Sequence, residues 1–471
     1  MELMELIHKV QEWVWGVPLM AALLGTGIYL MILLRGLPIL KLPRAISEAV
    51  GENKALDDSK SEKGQNDISA FSCLATELAA TIGTGNIVGV VGAITLGGPG
   101  ALWWMALSAV IGLATKLVES SLAVKYRIKT GDGSWLGGPM VTLTRAFPMP
   151  VLGKYLGYVY ALLAFFCALG MGNMVQANSI AGSLKAAFSI PVYVTGWVVA
   201  LLVLFSVLGG VKVISRISTY LVPAMGGLYL AGCLGILIRG HEQLLPVLLE
   251  SLKAAFCPRA AGGGVFGTLS CSMSAGIRWG ISRGIFSNEA GLGAGGISAA
   301  CTQEHSFARQ GLISMTGVFF DTLVICMVTG ITFCCSGILQ KMEQGYCLLA
   351  NGGMVSMDDG AGLMIAAFER TYGRLGVVLL GVCITLFAFA TILGWGYQGE
   401  QAFRFLFGEA AVKWYRFAYG FSSLVGACFT ADLIWGISDI CNGLLALPNL
   451  ICILVLAPGI CRELNGELQK I

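Results

Sequence analysis

The 471 residues are 56% hydrophobic and 12% charged, with a mean hydropathy of +0.77, whereas soluble domains carry about 25% charged residues. A chain of this kind is a polytopic membrane protein, and a formal net charge of +3 leaves no electrostatic footprint for a nucleic-acid partner. The fifteen cysteines form no C-x-x-C pair and lie largely in apolar runs, as Cys167, Cys326 and Cys383 do, so they read as small apolar fillers.

The opening MELMELIHKVQEW is acidic, then amphipathic, without the basic region and small-residue cleavage site of a signal peptide. A first span follows from about Gly16 to Leu34, ending at Arg35. The one long polar stretch, 35–69, mixes Lys54, Asp57, Asp58, Lys60, Glu62, Lys63 and Asp67, and reads as a disordered loop or a surface helix.

Residues 74–94, LATELAATIGTGNIVGVVGAI, are apolar enough to cross a bilayer, yet Gly83, Thr84, Gly85 and Asn86 interrupt them midway. Each glycine weakens a helix by roughly 1 kcal/mol relative to Ala, and in hydrocarbon any released backbone group needs a partner. The N–H groups of Thr84 and Gly85 would then open a second half-helix at the positive end of its dipole, which suits a carboxylate. Carbonyls released just before the break, at Ala79 and Ile82, suit a cation such as Na⁺. The competing reading is a Gly-rich helix crossing.

After the turn GGPG at 97–100 come spans near 101–124, 155–183, 192–208, 217–238, 265–300, 311–335, 375–400, 414–433 and 435–460, about eleven crossings in all. Lys and Arg concentrate in alternate loops, which places the amino terminus outside and the carboxy terminus in the cytoplasm, although Arg239, Lys253 and Arg259 fall on the other side. Residues 280–297, GISRGIFSNEAGLGAGGI, form a second interrupted span, broken by Gly284, Ser287, Asn288, Glu289, Gly291 and Gly293. With the first span set aside, the interrupted spans open two sets of five, the pattern of an inverted repeat with its site near the bilayer midplane. No sequence similarity between the halves is visible; spacing alone suggests the repeat. The divisions are 1–40 for the amphipathic start and extra helix, 41–69 for the polar cytoplasmic loop, and 70–240 and 241–471 for the two repeats.

Charges within spans cost about 2.5 to 3.5 kcal/mol each at mid-bilayer. Lys116 and Glu119 are one helical step apart and read as an internal pair; Arg283 and Glu289 flank the second break; Glu77 and Asp321 read as lying near membrane edges; Asp432 completes the set. Arg283 and Glu289 can brace that break against a neighbour or gate access, and structural bracing is the simpler reading for all of them. Asn173 and Gln176, three residues apart, share nearly one face, and Gln176 serves either as a polar wall for an amino acid or as an interhelical hydrogen bond. Phe387, Ala390 and Thr391 face one way with Trp395 a turn further on; the Thr391 hydroxyl can complete a shell of oxygens around Na⁺, and Trp395 either closes a small pocket or simply packs. The histidines, His8, His241 and His305, all fall at or beyond span ends, so an intramembrane Ser–His hydrolase lacks its base.

The runs TIGTGNIVGV, GGPGALWW, KLVESSLAVKYR, GNMVQANS, RGIFSNEAGLG, GVFFDT, TILGWGYQGE and ISDICNGLLALPNL resemble the sodium:alanine symporter family, also called alanine or glycine:cation symporters, over about nine tenths of the chain. The resemblance implies an all-α membrane protein with eleven helices, ten of them in the five-plus-five inverted repeat of the leucine transporter fold and one extra at the amino terminus. It implies a plasma-membrane carrier, in a bacterial cell membrane, that takes up alanine or glycine with Na⁺ as coupling ion. It places Thr84, Gly85, Gln176, Phe286, Ser287, Asn288 and Trp395 at the substrate, and Na⁺ at Ala79, Ile82, Phe387 and Thr391, with Asn86 a further candidate. A proton-coupled or uncoupled carrier and a non-transporting sensor are the alternatives, and oligomeric state is left open. Five features depart from the family pattern: Ala390 where a second Thr is expected, Ala294-Gly295-Gly296 for Ser-x-Pro, Gly396 for Ser, Gln398 for Tyr, and Glu77 for Ala.

Overall fold

The computed structural model describes residues 2–58, 68–131, 133–256, 268–269, 273–342, 345–350, 353–354, 360–429 and 431–470. Lys60, Glu62, Lys63 and Asp67 of the polar stretch lie outside the described residues, as does the side chain of Asp432. Within the polar stretch the described residues include a helix, Leu42–Asp58, preceded by the short Leu37–Leu40.

Helices dominate because every backbone group inside a bilayer must be satisfied within its own segment. Among the described residues seven helices are long and apolar enough to span, and eight when the bent pair Ala70–Thr81 and Thr84–Gly97 counts as one crossing. The other expected spans fall short by that measure. Val192–Leu208 has 17 residues; Val412–Cys428, also 17, carries Lys413 and Arg416; Met273–Asn288 and Ala294–Ala299 are split by the second break. Two small antiparallel strand groups add to the helices: Ile128–Lys129 with Trp135–Leu136, and Leu339–Met342, Gly345–Ala350, Thr268–Leu269 and Gly353–Met354.

The 34-residue helix Arg374–Phe407 runs through the centre, packed against Ala70–Thr81, Pro150–Leu169, Val175–Phe188 and Gly210–Arg239. Its Phe387, Ala390, Thr391 and Trp395 are all buried, while Trp197, Phe205, Tyr220 and Trp414 on peripheral helices are exposed, an apolar rim fit for lipid. The first span, Val17–Leu33, packs outside this core against Ala101–Lys125 and Ala431–Lys470.

Both interrupted spans are interrupted in the structure. The first turns by 64°. Ala70–Thr81 ends at Ile82 and Gly83 in extended conformation, a single 3₁₀ turn covers Thr84–Asn86, and the helix resumes at Val88–Gly97. The second break is displaced from the position the glycine pattern suggests. Gly284 and Ser287 lie within Met273–Asn288, and the helix is lost over Glu289–Gly293, where Glu289, Gly291 and Gly293 all take positive φ (56°, 98° and 81°). Gly284 serves close helix packing, since a Cβ there would sit 2.6 Å from the Ser108 hydroxyl.

Candidate functional site

Hydrogen bonds redirected at the first break expose the atoms that define the site. In a continuous helix the Gly83 amide would donate to the Ala79 carbonyl and the Asn86 amide to that of Ile82. Here Gly83 N donates to Asn86 Oδ1 (2.8 Å) and Asn86 N to the Gly83 carbonyl (3.2 Å). Among the described residues no protein acceptor meets the amides of Thr84 and Gly85, and no amide meets the Ala79 carbonyl.

These free groups point in two directions. Toward the central helix, the Thr391 hydroxyl lies 3.1 Å from the Phe387 carbonyl and 3.4 Å from that of Ile82. These three oxygens are an oxygen-only set, the donor type a hard cation takes, and the released Ala79 carbonyl belongs to the same helix one turn before Ile82. Ala390, the neighbour of Thr391 on the central helix, is buried and brings no hydroxyl. On the other side, a cavity of about 670 Å³, lined by Gly85, Val88, Asn178, Arg283, Phe286 and Trp435 among others, reaches the break. It leads in from the end of the span that finishes at Gly97. The Thr84 hydroxyl donates to Gln176 Oε1 (3.0 Å), and Gln176 Nε2 to the Met171 carbonyl (3.2 Å). Phe286 lies against Gly85, its ring 3.7 Å from where a Cβ would stand.

Thr84, Gly85, Gln176 and Phe286 thus come together, as do Ile82, Phe387 and Thr391. Ser287, Asn288 and Trp395 have other partners. Ser287 Oγ donates to Asp321 Oδ2 (2.8 Å), Asn288 Nδ2 to Thr322 Oγ1 (3.1 Å), and Trp395 Nε1 to Glu289 Oε1 (3.0 Å). Asn86 caps the break with its oxygen, and its Nδ2 donates to Asp321 Oδ1 (2.6 Å).

Asp321 and Glu77, expected near membrane edges, are both fully buried inside the protein. Asp321 sits in the π turn Phe319–Cys326 and accepts from Asn86, Ser287 and Thr322, joining the two breaks through one carboxylate. Replacing Asp321 with Ala removes the acceptor shared by Asn86, Ser287 and Thr322 and leaves Asn86 Nδ2 only the main-chain carbonyl of residue 321 (3.3 Å) and Cys326 Sγ (3.3 Å), at about 1 to 3 kcal/mol. Substrate binding, measured by scintillation proximity, should weaken tenfold or more. Asp321→Asn should retain more of it, because the Ser287 and Thr322 hydroxyls can rotate to accept from an amide.

Glu77 pairs with Lys116 (Nζ–Oε1 2.8 Å); the i, i+3 partner Glu119 lies at 3.9 Å. Glu119 Oε2 instead accepts from the Gly291 amide (3.2 Å) and from Asn449 Nδ2 (3.1 Å) inside the second break. A Cβ at Gly295 would fall 2.2 Å from Lys116 Nζ, so Gly295 provides the room this pair occupies. The spacing rule named Glu119 because it sees only neighbours along one helix.

The profile of the sodium:alanine symporter family matches residues 1–469. The chain belongs to this family. The sodium/alanine symporter AgcS of Methanococcus maripaludis is 38% identical to this member over 472 residues, covering 100% of this chain and 99% of its own. An uncharacterized transporter of Haemophilus influenzae is 40% identical over 472 residues, covering 100% and 97%. The amino-acid carrier protein AlsT of Bacillus subtilis is 31% identical over 84% of this chain and 79% of its own. Among solved structures, MhsT in complex with L-phenylalanine superposes with a TM-score of 0.55 at 16% identity, over 85% of this chain and 99% of that one. That likeness establishes the leucine transporter fold. This symporter-family member is a multi-pass membrane transport protein and not an enzyme.

Proposed function

We propose that the chain imports a small neutral amino acid, alanine or glycine, together with Na⁺, by alternating access across the plasma membrane. The observation that carries this reading is the pair of unpartnered amides of Thr84 and Gly85 at the foot of an open vestibule. The amino acid's carboxylate docks on those amides, Gln176 fixes the Thr84 hydroxyl beside it, and Phe286 bounds the pocket over Gly85. Trp395, held by Glu289, limits the pocket from behind. Na⁺ takes the oxygens of Ala79, Ile82, Phe387 and Thr391 and orders the break before the substrate arrives. Ser287 and Asn288 act through the second break.

The halves 70–240 and 241–471 form the two repeats and Val17–Leu33 the extra helix, with the amino terminus outside and the carboxy terminus in the cytoplasm. One positive charge moved inward down about 100 mV supplies roughly 2.3 kcal/mol, enough for more than tenfold accumulation.

One observation favours a second reading. Ala390 offers no hydroxyl to the oxygen set, which leaves the cation fewer ligands and points to a proton-coupled or uncoupled carrier. Uptake of radiolabelled alanine, glycine, serine and glutamine into liposomes, with Na⁺ replaced by choline at fixed pH, separates the two. The Na⁺ reading expects uptake of alanine or glycine to fall to background in choline. Unchanged uptake in choline rejects it, and binding without flux identifies a sensor.

A further inference from the structure

The two interrupted helices also touch at the end opposite the vestibule. Cys73, early in Ala70–Thr81, and Cys301, just past Ala294–Ala299, place their sulfurs 2.9 Å apart, both buried. It is the one thiol–thiol contact among the described residues. The surrounding backbone holds the two segments side by side. Ile68 and Thr302 form a parallel bridge, and the Gln303 amide donates to the Ile68 carbonyl at 3.0 Å. Arg127 donates to the Ala300 carbonyl (3.0 Å) and to that of Thr302, fixing the backbone on either side of Cys301. Cys301, but not Cys73, lines a cleft of about 190 Å³ with Tyr397, Glu400, Arg404 and Arg416.

We infer that Cys73 and Cys301 are a modification site: a small peroxide oxidises them to a disulfide that pins the two interrupted helices together at this end and stops the transport cycle. The Cys301 sulfur, reached through the cleft, attacks the peroxide; the O–O bond breaks, the thiol proton goes to the departing oxygen, the first water leaves and a sulfenic acid forms. The Cys73 thiol then attacks that sulfur, its proton leaving with the hydroxyl as the second water. Two thiols and one hydrogen peroxide thus give one disulfide and two waters. The sulfurs must close by under about 1 Å to reach bonding distance. A cytoplasmic location, which the proposed orientation gives this end, keeps the pair reduced in ordinary conditions and makes the bond a reversible response to oxidant.

The consequence follows from alternating access. The vestibule is open at the Gly97 end, so opening toward the other face requires the segments carrying Cys73 and Cys301 to part. A covalent link holds the molecule in its present state, able to bind and unable to release inward. The transport consequence rests on the function proposed above; the bond does not.

The test uses the full chain in liposomes, as wild type, Cys73→Ala and Cys301→Ala, treated with hydrogen peroxide and then with N-ethylmaleimide. Peptide mass spectrometry should find a linkage between the peptides carrying Cys73 and Cys301 in the wild type alone. Uptake should fall to background, return with dithiothreitol, and leave binding of the same amino acid intact; both alanine variants should keep transporting in peroxide. Absence of the linked peptide, or a linked protein that still transports, overturns the proposal. A wild type that takes up no amino acid of the panel counts against the proposed function, while the linked peptide still decides the site.

Discussion

Replacing Gly83 with alanine will abolish most Na⁺-stimulated uptake, although a single methyl group is added. The Cβ would lie 2.4 Å from the Thr391 hydroxyl oxygen, far inside contact distance, at the point where the unwound segment meets the central helix. Overpacking of this kind costs about 1 to 3 kcal/mol, equivalent to a factor of about 5 to 150 in an equilibrium constant. It displaces the one side-chain hydroxyl in the oxygen set proposed to hold the cation. The double variant Gly83→Ala/Thr391→Ala shows which effect dominates. If Thr391 ligates Na⁺, removing the clash restores the protein's melting temperature but not Na⁺-dependent uptake. If Thr391 is only a packing neighbour, uptake recovers as well, and the cation site is wrongly placed.

The second large effect belongs to Lys116→Met. Lys116 and Glu77 are each 1% exposed, and the ammonium also lies within 3.9 Å of Glu119. Removing one partner of a buried pair leaves the other charge uncompensated, at about 3 to 5 kcal/mol, whereas replacing both is often neutral or better. Lys116→Met should therefore lower the melting temperature in detergent by many degrees, and Glu77→Gln/Lys116→Met should recover much of the loss. Gly295→Ala should act in the same direction by crowding Lys116 Nζ. A Lys116→Met protein that melts with the wild type would show that the pair stabilises nothing.

The first break was legible in the sequence because its signal is local: two glycines flanking Thr84 in an apolar run force the helix to yield there. The second was less so. Six candidate interrupters were present, but Gly284 is used for packing against Ser108, and the chain leaves the helix only at Glu289, where a non-glycine residue takes a left-handed conformation. That choice depends on Trp395 and Asn449, which come from distant helices.

The polar residues were harder to place for the same reason. Asn173 and Gln176 were expected on one face, but the π turn Gly170–Met174 changes the phase between them. Asn173 donates to the Tyr419 carbonyl (2.6 Å), whereas Gln176 reaches Thr84. Glu77 and Asp321 looked like edge residues because a carboxylate in hydrocarbon is costly alone. Their partners, Lys116 for one and Asn86, Ser287 and Thr322 for the other, are not all found by helical spacing. In the sequence Cys73 and Cys301 look like fillers, since 228 residues separate them and only the meeting of the two interrupted helices brings them together.

On the proposed mechanism, main-chain atoms released at the first break hold both cargo and ion. The measurement closest to it is a structure of the protein with alanine and Na⁺ bound. The alanine carboxylate is expected within hydrogen-bond distance of the Thr84 and Gly85 amides, and the ion among the oxygens of Ala79, Ile82, Phe387 and Thr391. Alanine bound elsewhere, with those amides turned back into a continuous helix, would contradict it.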